Sequence, residues 1–399
     1  MKPLKSNRLN IGIFGKTNVG KSSLLNKISG QNVSIVSDIS GTTTDVVEKS
    51  MELLPIGSVN FLDSAGINDN SELGQKRLEK TLIMLNRADI SVLVCDYEGF
   101  NDYDTALIEK FKEFNIPYFV IINKADKCSI SETNLTKIRE YTENIMITSA
   151  TNDEDIIYKF KNSLIKLLPD DFVNPPKIVG DIIKPNSTVV LVIPIDKEAP
   201  KGRIILPQVQ TLRDLLDNGC KVLSVRDTEL KQALEELKNP PSLVITDSQA
   251  FKKVSEIVPG NIPLTSFSIL FARLKGDLKA FTEGAKAIDN LKDNDKVLIL
   301  ESCTHHAIED DIGRVKIPNL LRKKTKKDLI IENYSGHDFP NISNYKLIIH
   351  CGACMTNRRE VLSRILLSNK ANVPITNYGI AISYCLGILN RAIRIFNLE

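Results

Sequence analysis

Gly15 to Ser23, GKTNVGKSS, is the stretch that decides the fold. It fits the pattern G-x-x-x-x-G-K-[ST]. An apolar run, NIGIF (10–14), precedes it, and a helical pattern, SLLNKIS (23–29), follows it. Strand, glycine-rich turn and helix in that order form the context in which this pattern cradles phosphate. Gly15 and Gly20 let the backbone N–H groups of Lys16, Thr17, Asn18, Val19 and Ser23 turn toward phosphate oxygens. Lys21 neutralises the β- and γ-phosphates, and Ser22 offers a hydroxyl to Mg²⁺.

Further motifs follow in a fixed order. DSAG, Asp63 to Gly66, ends the next long apolar run; Asp63 would hold the Mg²⁺ shell and the Gly66 N–H would sense a γ-phosphate. NKAD, Asn123 to Asp126 with Lys124 between them, follows the run PYFVII. A carboxylate at Asp126 accepts from N–H groups, which guanine presents at N1 and N2 and adenine does not, so the expected ligand is GTP. TSA, Thr148 to Ala150, would close over the base through Ser149 and Ala150.

This order resembles the Ras-like GTPases across residues 10–168. Within them, GKTNVGKSSLLNKISGQNVSIVSDISGTTTD is similar to the MnmE/Era/EngA branch. That resemblance implies that Thr43 completes Mg²⁺ coordination and that Asn18 accompanies K⁺ dependence. The carbonyl oxygen of Asn18 would hold a monovalent cation against the phosphates, where an arginine finger would otherwise act. Ile67 follows Gly66 where Ras-type proteins carry a water-orienting glutamine, so intrinsic hydrolysis is expected to be slow and to need K⁺ or a partner.

The 399-residue length leaves room for more than this domain, at ~150 residues per domain. Strand-like and helical runs alternate throughout. The expected fold is α/β: a Ras-like P-loop GTPase domain (1–168), a linker (169–186), then two smaller α/β domains with mainly parallel sheets (187–266 and 267–399). The middle segment is short for a full core of its own, so it should pack on a neighbour or a second copy. With 52 basic against 49 acidic residues, the charge balance excludes a strongly basic nucleic-acid binder. The longest apolar runs, such as ISVLVC and YFVII, are far short of the ~20 residues that span a bilayer, and MKPLKSNRLN carries no apolar core of a signal peptide. A cytoplasmic location with reduced cysteines follows.

All four histidines lie between 305 and 350, and Cys303, Cys351 and Cys354 bracket them. Cys303 follows the run KVLILES and Cys351 follows YKLIIH. Sites in open parallel sheets form beyond the carboxyl ends of strands, so the two positions can meet. Cys303-x-His305 with His350-Cys351-x-x-Cys354 can hold tetrahedral zinc, or three irons of a [4Fe–4S] cluster; a redox dithiol is a third reading. His306 and His337 are read as structural or supporting groups.

The segments ESCTHHAIEDDIGRVKIPNLL, HCGACMTNRREVLSRI, LVIPIDKEAPKGRIILPQVQTLRDLLD and TSFSILFARLKGDL resemble the HydF family, the GTPases of [FeFe]-hydrogenase maturation. The resemblance covers essentially the whole chain. It implies that Cys303, Cys351 and Cys354 ligate a [4Fe–4S] cluster, with His305 and His350 as a fourth ligand or as groups beside it, and Glu301, Glu309 and Asp310 as further candidates. It implies a homodimer formed by the middle segment. It also implies a carrier of a diiron subcluster, built with two radical-SAM enzymes (HydE and HydG) and delivered to apo-[FeFe]-hydrogenase. A second reading stands beside it: an Era/MnmE-like RNA- or ribosome-associated GTPase with a structural zinc site. That reading calls for a basic accessory domain, which the segments after 187 lack, so no nucleic acid and no membrane partner is expected.

Overall fold

A computed structural model of the protein describes residues 8–29, 47–63, 81–195, 204–302, 311–354 and 356–398. The chain divides into two compact units, Met1–Pro175 and Pro176–Glu399.

In the first unit β1 (Leu9–Phe14) is buried at every position. A strand buried at every position needs cover on both faces, which a central place in a parallel sheet supplies. The six-stranded sheet runs β2-β3-β1-β4-β5-β6, with β2 (Val47–Leu53), β3 (Gly57–Asp63), β4 (Ile90–Cys95), β5 (Tyr118–Ile122) and β6 (Ile145–Ile147). Only β2 is antiparallel. The predicted Ras-like α/β domain is thus the fold observed. The sequence reading omitted β2: VEKSMEL is an edge strand whose charged residues interrupt any apolar run. On one face of the sheet Phe160 meets Phe61 and Phe119 with ring centroids 6.1 and 5.6 Å away. Replacing such a fully buried ring by alanine costs about 3–5 kcal/mol.

The second unit holds two four-stranded parallel sheets. The middle sheet contains β7 (Thr188–Val192), β8 (Lys221–Val225), β9 (Leu243–Thr246) and β10 (Leu264–Ser266) in the order β10-β9-β7-β8. The C-terminal sheet contains β11 (Lys296–Glu301), β12 (Ile330–Ser335), β13 (Leu347–His350) and β14 (Ile375–Asn377). Read from β14 its order is β14-β13-β11-β12, the same topology strand for strand.

Local detail repeats as well. Asn186 and Asn294 precede β7 and β11, each with φ 66°. They donate to the carbonyls of Gly219 (2.9 Å) and Asp328 (2.7 Å), just ahead of β8 and β12. Ser266 and Asn377 end β10 and β14 and cap the helices Phe267–Lys275 and Tyr378–Cys385, accepting from the amides of Ile269 and Ile380. These two equivalent helices pack on each other: the Gly379 amide donates to Ser268 Oγ at 3.1 Å, and a Cβ on Gly379 would lie 2.7 Å from Ser268 Cβ. The unit is an internal duplication joined through matching helices.

The two sheets share one core, in which Val190, Val192, Val244 and Leu264 join Leu298, Leu300, Ile348 and Ile375. The middle segment therefore gains cover from its neighbour in the same chain. The segment read as a linker is divided between roles. Ile178, Val179 and Ile183 are buried against the middle sheet, and Asp214 accepts from the amides of Ile178, Val179 and Gly180.

Candidate functional site

The phosphate-binding loop runs from the carboxyl end of β1 into the helix Lys21–Ile28. Gly15 has φ 137°, and a Cβ there would sit 2.1 Å from the Val94 carbonyl oxygen, so no other residue fits. Gly20 takes φ 94° and Asn18 φ 67°. The Lys21 ammonium donates to the carbonyls of Gly15 and Lys16, which places it inside the loop. The helix has no acidic residue in its first turn, so its N-terminal dipole favours an anion. Asp63 is buried at the end of β3, whose Asp63 pairs with Ile13 of β1. Ser22 and Ser23 are exposed on the first helical turn. Thr43 and Gly66 lie outside the described residues.

Asn123 does more than the sequence reading gave it. Its Nδ2 donates to the Val19 carbonyl at 2.8 Å and its Oδ1 accepts from the Ala150 amide at 2.9 Å. It therefore ties the phosphate loop to the Ser149–Ala150 loop, and Nδ2 keeps a second hydrogen for a base. Asp126 is exposed and accepts from Ser149 Oγ at 2.6 Å. That hydroxyl is the first of the groups holding its carboxyl below the usual value, so it is an exposed anion. Lys124, at φ 63°, pairs with Asp96 at 3.3 Å.

At the other candidate site β11 and β13 are parallel neighbours, with Leu300 opposite His350. The Cys351 amide donates to the Leu300 carbonyl at 2.9 Å, and the Ser302 amide donates to Cys351 Sγ at 3.3 Å. Cys303, the next residue, lies outside the described residues, as do His305, His306, Glu309 and Asp310. Among the described residues no three ligand-type side chains converge as a metal site. After Cys351 the chain turns at Ala353 (φ 52°), whose carbonyl accepts from the Thr356 amide. Among the described residues a Cβ built on Gly352 would meet nothing within 4 Å. Both cysteines are half-buried.

His350 is buried, and both its ring nitrogens are engaged. Nδ1 lies 2.7 Å from the Cys351 carbonyl and Nε2 lies 2.8 Å from an Arg364 nitrogen. Arginine only donates, so Nε2 accepts and Nδ1–H donates to the carbonyl. Burial, and then Arg364, push the imidazole down to about 3, so it is neutral. Of the two roles left open for His350, this arrangement favours support beside the site over ligation. Glu301 accepts from the Tyr378 hydroxyl (3.2 Å) and from Ser335 Oγ (2.9 Å).

Sequence reading missed Arg364 and Glu360. They sit one turn apart on the helix Arg358–Lys370, paired at 2.9 Å and each 1% exposed. Glu360 also meets Nδ1 of His337 at 3.1 Å. The signal available was a charged i,i+4 pair, which on most helices marks a solvated face.

Comparison with known proteins adds the family. The model for the hydrogen maturase F dimerization domain matches residues 178–276, and the model for the hydrogen maturase F tetramerization domain matches 279–395. The chain belongs to the HydF family. Ahead of these HydF-specific parts, residues 10–124 match a family described as 50S ribosome-binding GTPase. The tRNA modification GTPase MnmE of Mycoplasma mycoides is 37% identical over 150 residues, 37% of this chain and 32% of its own length. The GTPase Der of Nitratiruptor is 36% identical over 129 residues, 31% of this chain and 28% of its own. This HydF chain thus spans about a third of the curated relatives it matches. An Era structure from Aquifex aeolicus is 23% identical, covering 54% of this chain and 93% of its own, at TM-score 0.33, too low to carry weight. GTP and Mg²⁺ fit the GTPase domain of this HydF member.

Proposed function

We propose that this HydF-family chain is a GTP-hydrolysing scaffold that holds a [4Fe–4S] cluster and delivers a diiron subcluster to apo-[FeFe]-hydrogenase. The observation that carries the reading is the contact of the Ser302 amide with Cys351 Sγ. It sets the residue before Cys303 against Cys351 at one sheet edge, with Cys354 on the same loop. Three thiolates from Cys303, Cys351 and Cys354 suit such a cluster, and an N–H donated to sulfur stabilises the thiolate form. The cluster would supply an iron with an exchangeable position. The chain's own part is to present the thiolates, to give the site rigid strand ends, and to leave the Gly352 side open for cargo.

In the nucleotide site Lys21 and the loop amides bind the phosphates, Ser22, Thr43 and Asp63 hold Mg²⁺, and the Gly66 N–H reads the γ-phosphate. Asp126 selects guanine, and Asn18 helps hold K⁺, which stimulates a slow turnover. GTP state would alter affinity for a partner: HydE and HydG, which build the cargo, or the hydrogenase that receives it.

The homodimer forms through the middle segment. On its helix Leu206–Asp217, Val209 and Leu216 stand two turns apart, 42% and 51% exposed, beside the edge strand β8. A protein in the cytoplasm fits these roles, and among the described residues no helix is long and apolar enough to cross a membrane. The test is activation of apo-hydrogenase by this protein loaded with a diiron precursor, with and without GTP. Hydrogen evolution that depends on the loaded protein supports the reading; none, from a protein carrying cluster and precursor, overturns it.

A further inference from the structure

Arg364 is a guanidinium, 1% exposed, at the carboxyl edge of the C-terminal sheet. One terminal nitrogen donates to Ser302 Oγ at 2.8 Å and to His350 Nε2 at 2.8 Å; the other donates to the Gly336 carbonyl at 2.6 Å and pairs with Glu360 at 2.9 Å. Ser302 follows β11, Gly336 follows β12 and His350 ends β13. A single side chain therefore joins three strand ends.

Two of those bonds lead to Cys351 from opposite sides. Through Ser302, Arg364 fixes the residue whose amide donates to Cys351 Sγ. Through His350, it fixes the ring whose Nδ1–H donates to the Cys351 carbonyl. Arginine suits this task because its planar fork spreads its donors over separate nitrogens in a fixed geometry and so spans acceptors on three strands, where an ammonium is a single compact point.

The repeated topology of the middle sheet carries other residues at the equivalent positions. Matching β7 to β11 and β9 to β13 by their pairing, Val192 with Thr246 and Leu300 with His350, puts Thr246 at the place of His350. The same match puts Pro194, which has no N–H, at the place of Ser302, and Asp247 at the place of Cys351. Thr246 is fully buried, and its hydroxyl has no hydrogen-bond partner among the described residues. Among the described residues the printed contact at that strand end is of another kind: Gln208 Nε2 donates to the Asp247 carboxylate at 2.8 Å.

We infer that Arg364 is a positioning residue for the cysteine site: it holds Ser302 and His350 so that Cys351 meets its metal in one fixed geometry. The inference rests on the cluster-binding reading above. Groups that orient metal ligands commonly change metal affinity 10–100-fold when removed.

The experiment uses the full chain, reconstituted anaerobically with iron and sulfide, and follows cluster loss to an iron chelator together with the electron paramagnetic resonance spectrum of the reduced protein. Removing Arg364 alone would take the buried Glu360 carboxylate's guanidinium partner away, so the first variant is Arg364→Met with Glu360→Met, which removes both charges and keeps the volume. It is expected to stay folded, lose its cluster about tenfold faster or more, and show a shifted spectrum. Arg364→Lys keeps the charge opposite Glu360 but cannot reach Ser302 and His350 together; an intermediate loss rate is expected, and it decides the matter if the double variant does not fold. Variants that match wild type in both loss rate and spectrum overturn the positioning role alone. A wild-type protein that takes up no iron–sulfur cluster overturns it together with the reading beneath it.

Discussion

The amide of Ser302 and the sulfur of Cys351 lie 3.3 Å apart, joined across the ends of two neighbouring parallel strands. Their closeness follows from register: Leu300 pairs with His350, so the next residues of each strand leave the sheet side by side.

On the proposed reading Asp126 carries base selection. Its carboxylate is held by Ser149 Oγ and faces outward. Asp126→Asn exchanges acceptors for donors, and losing charged hydrogen bonds worth about 3 kcal/mol together corresponds to roughly a hundredfold weaker GTP binding. Xanthosine triphosphate, which presents an oxygen in place of the guanine amino group, should bind the variant better than GTP does. Titration calorimetry with both nucleotides checks this; unchanged GTP affinity would remove Asp126 from the site.

Asn123 is a strut between loops as well as the proposed base contact. Asn123→Ala leaves the Val19 carbonyl and the Ala150 amide unmatched, at about 1–3 kcal/mol for each group left without a partner. The urea midpoint should fall and nucleotide affinity should fall with it. A loss of affinity with no change in midpoint would mean that the strut contributes nothing.

Asn18 stands at φ 67°, where glycine is equally at ease. Asn18→Gly therefore removes the side-chain oxygen and keeps the loop. Wild type should hydrolyse GTP faster in KCl than in NaCl, and the variant should bind GTP while losing that preference. Equal rates of wild type in both salts would end the K⁺ assignment.

Val209 and Leu216 share one exposed face. Val209→Glu with Leu216→Glu should convert the dimer to a monomer at micromolar concentration in sedimentation, with the thermal midpoint kept, because neither side chain is in the core. An unchanged oligomer would place the interface elsewhere.

Much of the nucleotide site was legible because its backbone demands are severe. Gly15 meets the Val94 carbonyl so closely that the residue type is forced. The strand-end placement of Cys351 was legible for a similar reason, since LIIH is buried at every position and ends where the cysteine begins. Arg364 and Glu360 were not, because a charged pair one turn apart reads as a solvated face until the sheet ends close over it. The duplication was hidden too. Topology and hydrogen bonding repeat while side chains do not: Asp247 stands where the other copy has Cys351, and Thr246 where it has His350. Edge strand β2 escaped because its charges broke the apolar pattern.

The central claim is that three cysteines on this GTPase chain hold an iron–sulfur cluster. Iron and sulfide analysis of the anaerobically reconstituted protein tests it most directly, with Cys303→Ser, Cys351→Ser and Cys354→Ser alongside. A brown protein with about four irons and four sulfides per chain, lost in each variant, is the predicted result. A colourless protein that binds one tight zinc per chain and no sulfide would contradict it.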